Sequence, residues 1–212
     1  MNALDSVVRE YVVPAAAAAA AAGFRKRGRM FWKANESRDY VILEFQTHAV
    51  NPDALVFDVE FHIVPEPYWD WVNLGHQRPG AVPDSSGALV SVRAIPPEAA
   101  AHHPASEMPF RARWALRSGD EASFGRLLSD ELTERVFPRM QRLLDRDHLL
   151  EVLRGRDATL MKRMTPQLRE ILLRVDQLSL ADLARLLAGL ESTRAPAAFS
   201  RWAYDRVAAR ER

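Results

Sequence analysis

Two stretches decide the fold: Tyr40-Val41-Ile42-Leu43-Glu44-Phe45-Gln46-Thr47-His48 and Leu55-Val56-Phe57-Asp58-Val59-Glu60-Phe61-His62-Ile63-Val64. In the first, Val41, Leu43 and Phe45 alternate with Glu44, Gln46 and His48. In the second, Leu55, Phe57, Val59, Phe61 and Ile63 alternate with Asp58, Glu60 and His62. A period of two sustained over such lengths marks strands with one face buried and one face wet. The connection Asn51-Pro52-Asp53 has turn chemistry, so the two strands are expected to form an antiparallel hairpin.

Working outward, residues 30–33, 88–95 and 110–117 read as further strands; in the last, Phe110, Ala112, Trp114 and Leu116 alternate with Arg111, Arg113 and Arg117. Upstream, residues 2–22 carry eight consecutive alanines and read as a helix. Gly23 is placed to end it in the left-handed conformation, and Pro14 to kink it. Residues 65–87 and 96–109, rich in Pro and Gly, read as loops. From about Ala122 the apolar period becomes helical, through Leu128, Leu132, Val136 and Met140, with Pro138 splitting or kinking the run. Thr165-Pro166 and Ser179 with Asp182 have the form of helix N-termini.

The expected class is α+β: an N-terminal helix, an antiparallel sheet of about four or five strands packed on helices, and a C-terminal helical extension. Residues 1–155 form the α+β core domain in this reading, and residues 156–212 the extension packed on it.

Composition narrows the function classes. Lys and Arg total 29 against 28 Asp and Glu, a formal net charge of +1, which counts against general nucleic-acid binding because such binding rests on neutralising phosphates. The chain has no cysteine, so disulfides, thiolate metal sites and cysteine nucleophiles are excluded. The alanine run lacks the basic flank of a signal peptide and is too short for a membrane span, so a cytoplasmic protein with no membrane association is expected. The chain holds no G-x-S-x-G, G-x-G-x-x-G, Walker-type loop or H-E-x-x-H. No cofactor, resident metal or catalytic residue is assigned.

Gly23-Phe24-Arg25-Lys26-Arg27-Gly28, Phe31 and Val41-Ile42-Leu43-Glu44-Phe45-Gln46, with Trp114 and Val136-Phe137-Pro138 downstream, resemble an uncharacterised bacterial family known as domain of unknown function 4304. The likeness covers roughly residues 4–155. It implies an N-terminal helix, an antiparallel sheet and a Pro-bearing helix, and it implies no activity.

Two constellations are candidate sites. Strand parity puts Glu44, Gln46, His48, Asp58, Glu60 and His62 on one side of the hairpin, where Arg111 and Arg113 face them if the third strand joins suitably. Such a face can bind a ligand, hold a divalent ion, perform acid–base chemistry, or simply be a solvated surface laced with cross-strand ion pairs. Tyr68, Trp69 and Trp71 can anchor a protein partner or fold back onto the core. Arg25, Lys26, Arg27 and Arg29, beside Phe24, Phe31 and Trp32, form a basic patch that a solvated loop explains as well. The leading expectation is a non-catalytic cytosolic binding or interaction protein of bacterial origin; the alternative is a small-molecule or metal-dependent enzyme using the polar face of the sheet.

Overall fold

The computed structural model describes residues 6, 10, 23–27, 30–50, 54–74, 82–103, 112–155, 157, 159–190 and 197–212. Of the helix expected over residues 2–22 only positions 6 and 10 are among them, both helical; the expected turn Asn51-Pro52-Asp53 and the strand positions Phe110 and Arg111 lie outside them. Gly23 has φ = 83°, the left-handed geometry expected of it.

The fold is α+β, as expected, but the sheet has eight strands among the described residues rather than four or five. These are β1 (Arg25–Arg27), β2 (Met30–Ala34), β3 (Tyr40–Val50), β4 (Ala54–Val64), β5 (Val90–Arg93), β6 (Ala101–His102), β7 (Arg113–Arg117) and β8 (Leu160–Lys162). The unforeseen ones are β1, β6 and β8, which are two or three residues long and too short to display a period. The order is β1-β2-β3-β4-β5-β8, with β7 also beside β4 and β6 beside β7, and every pairing is antiparallel. β4 is the hub: β3 runs along its whole length, while β7 pairs with residues 54–57 and β5 with residues 60–63. β1, all charged and exposed, forms an edge, where cations discourage pairing with another chain.

The helices are α1 (Glu66–Val72), α2 (Glu121–Glu131), α3 (Phe137–Arg142), α4 (Arg146–Arg154), α5 (Pro166–Arg174), α6 (Leu180–Ala188) and α7 (Ala197–Glu211). α1 lies in a stretch read as loop; its seven residues follow Pro65 and carry Pro67 in the first turn, where proline's missing N–H is harmless. A π-helical turn, Leu132–Val136, joins α2 to α3 and leads directly to Pro138, which has no N–H to complete an α-helical ladder. The caps at Thr165 and Ser179 form as expected, accepting hydrogen bonds from the backbone N–H of Leu168 and Asp182.

One large core lies between the sheet and the helices. It joins Val41, Leu43, Phe45, Phe57, Val59, Phe61 and Ile63 with Leu128, Leu132, Met140, Leu172, Leu183, Phe199 and Val207. The chain beyond residue 155 therefore shares this core, and it supplies β8 to the sheet. No described helix is long and apolar enough to cross a membrane.

A polar chain ties the periphery together. Asp39, only 2% exposed in the β2–β3 turn, accepts from Arg146 Nε (2.9 Å) and Nη2 (2.8 Å), from Asn35 Nδ2 (3.2 Å) and from the backbone N–H of Glu66 (2.8 Å). Arg146 continues to Asp176 (2.6 Å), which also accepts from Arg206 (2.7 and 3.0 Å). Arg206 closes the chain on Glu66 at 2.5 Å. Burial alone would push the Asp176 carboxyl up; the hydrogen bonds from Arg206 and Arg146 prevail and hold it below its ordinary value. Removing one member of such a buried ionic network strands the others. Asp39→Ala is expected to cost about 3–5 kcal/mol in urea unfolding of the full chain. A loss well under 1 kcal/mol would show that the network does not hold the fold.

Candidate functional site

Along β3 and β4, the face turned away from the helices changes character. At one end Ile42, Val64 and Ala88 form a small buried cluster with Met30, Trp32, Tyr40 and Trp69 packed on it. At the other stand Glu44, Gln46, His48, Asp58, Glu60 and His62, joined by Arg93 of β5 and Arg113 of β7. Strand parity thus places these six residues where expected, and β7 brings Arg113 to Asp58. Ser91 and Arg93 were missed by sequence reading. They lie opposite His62 and Glu60 in the β4–β5 register, so the polar alternation of Ser91 and Arg93 with Val90 and Val92 was the available signal.

The face is layered by burial. Asp58, Glu60 and His62, on the central strand, are 1%, 6% and 3% exposed; Glu44, His48, Arg93 and Arg113, on flanking strands, form a partly exposed rim. A central strand loses its polar residues beneath the longer side chains of its neighbours. Those residues are therefore not a solvated surface, and each needs partners.

Arg93 bridges the two buried carboxylates, with Nη2 at 3.1 Å from Asp58 Oδ2 and 3.2 Å from Glu60 Oε1. This offsets the register, which sets Glu60 directly opposite Glu44. A β-bulge at His48, between the pairs Thr47–Phe57 and Ala49–Val56, swings that ring back over the sheet, and its Nε2 comes 2.6 Å from Asp58 Oδ2. Gln46 Nε2 donates to Glu44 Oε2 at 3.4 Å.

Three buried atoms on this face have no hydrogen-bond partner: Asp58 Oδ1, Arg113 Nε and His62 Nε2. Asp58 Oδ1 and Arg113 Nε are 3.8 Å apart, as are His62 Nε2 and Glu44 Oε2. Both separations are too long for a hydrogen bond. His62 Nδ1 is engaged with Ser91 Oγ at 2.8 Å. Burial lowers the His62 pKa, outweighing the opposing pull of Glu44 and Glu60, while Arg163 adds to the lowering. A neutral ring carries one donor and one acceptor, so Nε2 faces the space near Glu44 as whichever Ser91 leaves it. No group of three His, Asp or Glu side chains among the described residues is arranged to hold a metal ion.

The aromatic constellation sits on α1, which crosses the end of the sheet. Tyr68 is buried in the large core, and Trp71 packs on Phe199 and Trp202 with ring centroids 5.3 and 5.9 Å apart. Trp69 turns to the opposite side, onto the small cluster, so close to Gly87 that a Cβ there would lie 2.7 Å from its ring. All three are thus engaged within the protein. A groove of about 480 Å³ lies beside them, lined by Asp70, Leu74, Ala198, Arg201, Trp202, Asp205 and Arg206.

The His62 ring gives a signed pH dependence. Its folded pKa lies below the unfolded value, so its contribution to stability is complete above the ordinary histidine pKa, about 6.5, and is lost as pH falls through the window beneath it. Melting temperatures of the wild type are expected to fall more steeply between about pH 7 and pH 5 than those of His62→Gln, which has no proton to take up. Parallel curves would show that His62 is not held neutral.

No family model matches the chain, and no curated protein or solved structure matches it significantly.

Proposed function

We propose that the protein is a non-catalytic, cytosolic binding protein that holds a small polar ligand on the sheet face between Glu44, His62, Asp58 and Arg113. The observation that carries this reading is the three buried polar atoms without partners on one face. A buried polar atom left unpaired costs about 1–3 kcal/mol, so three on one face point to a group that completes them. The donor Arg113 Nε and the acceptor Asp58 Oδ1 call for a ligand offering both an acceptor and a donor, such as a hydroxyl or a primary amide. The buried carboxylates of Asp58 and Glu60 already face two guanidinium groups, Arg93 at 3.1 and 3.2 Å and Arg113 at 3.8 Å from Asp58, which favours an uncharged ligand. The likeness of residues 4–155 to domain of unknown function 4304 belongs to the same proposal and adds no activity to it.

The test is a thermal-shift panel of polyols, amino acids, amides and nucleosides on the wild type and Arg113→Met. One class is expected to raise the wild-type melting temperature, because only a ligand of the native state does so. Arg113→Met is expected to lose that shift while changing stability by about 1 kcal/mol or less, since Arg113 is partly exposed and its ion pair with Asp58 is long, at 3.8 Å. No shift from any class, with Arg113→Met strongly destabilised, would leave the face purely structural.

One contact favours the alternative of an acid–base or metal-dependent enzyme. His48 Nε2 lies 2.6 Å from Asp58 Oδ2, the arrangement of a base and the carboxylate that orients it. This reading expects a divalent ion retained through purification and lost in His48→Ala. A metal-free protein that binds an uncharged ligand supports the binding reading instead.

A further inference from the structure

We propose that the cavity between α4 and α5 binds a small monocarboxylate with an apolar body, its carboxylate received by Arg169. The cavity holds about 220 Å³ and is lined by Leu150, Leu153, Arg154, Pro166, Arg169 and Glu170. It lies on the helical side of the sheet, and the proposal is independent of the polar face.

Arg169 is 5% exposed, and its Nε and Nη1 are buried with no hydrogen-bond partner. The neighbouring Glu170 is already engaged: its Oε1 accepts from Arg154 Nη2 at 2.9 Å and from Arg174 Nη1 at 3.3 Å. Burial without a counter-charge lowers the Arg169 pKa from its ordinary value, yet a guanidinium remains charged at any physiological pH. A buried cation without an anion is among the costliest arrangements a protein can hold. Its cost falls when an anion enters the cavity it lines.

The chemistry of that anion follows from the walls. The planar guanidinium offers parallel N–H donors that match a carboxylate in bidentate fashion. Leu150, Leu153 and Pro166 supply apolar surface for a hydrocarbon body. Two arginines and one carboxylate line the cavity, so a single negative charge balances it, and Glu170 opposes a dianion such as phosphate. A cavity of about 150 Å³ accommodates benzene. The present one therefore takes a benzoate-sized acid.

The test uses the full chain at constant ionic strength, with sodium benzoate, benzamide and inorganic phosphate as probes, read by thermal shift and calorimetric titration. At about 10 mM, benzoate is expected to raise the melting temperature by about 2–4 °C. Benzamide, of the same shape but neutral, and phosphate are expected to give much smaller shifts. Arg169→Met is expected to fold, because it replaces an unpaired charge with an apolar chain of similar length, and to lose the benzoate shift. Arg154→Gln, at the exposed rim, provides a second variant, expected to weaken benzoate several-fold without threatening the fold. No benzoate shift, equal shifts from benzoate and benzamide or phosphate, or an Arg169→Met protein that keeps the shift would each overturn the proposal.

Discussion

The structure depends on a carboxylate that cannot reach water. Asp39 is held by two arms of Arg146, by Asn35 and by the first N–H of α1. The last bond completes a helix start that Pro65 has no side chain to cap, and it sets a negative charge at the positive end of the helix. From Asp39 the ionic chain runs through Arg146, Asp176 and Arg206 to Glu66, so one connected set of charges fixes the β2–β3 turn against α1, α4, the end of α5 and α7. The apolar core sets how tightly these elements associate. The ionic chain sets which orientation they take, since its bonds are directional.

α1 translates that arrangement to both sides of the sheet. With its start fixed by Asp39, Tyr68 and Trp71 meet the large core, while Trp69 covers Ile42, Val64 and Ala88 on the opposite face. The apolar end of that face is thereby closed. The polar end, one residue pair further along β3 and β4, is left with buried charges linked through Arg93 and with three atoms unpaired. The candidate site is thus the part of the second face that the aromatic helix does not reach.

Much of this is legible because β3 and β4 are long and alternate over their central residues. Eleven residues each are enough for parity alone to sort Phe57, Val59 and Phe61 from Asp58, Glu60 and His62. What parity cannot supply is depth. The same alternation describes a wet face and a face closed over by neighbours, and only the lateral position of β4 decides that Asp58, Glu60 and His62 are buried. Arg93 and Ser91 entered through strand register, which is a long-range property. β1, β6 and β8 are too short to show a period, and α1 was concealed by its prolines and by its seven-residue length. The Arg169 cavity left no local mark, because an arginine at that point of an amphipathic helix reads as solvent-facing.

The ordering of these bonds along the chain bears on how the protein is made. Arg146 joins Asp39 across 107 positions, and Arg206 joins Glu66 across 140. β5 likewise waits for β8, some seventy positions later, before its outer side is paired. In chain order, then, the hairpin of β3 and β4 precedes Arg146, β8 and Arg206, the residues that complete the ionic chain and pair the outer side of β5. Loop closure on this scale slows folding, because the ordering of the intervening chain precedes the contacts that reward it.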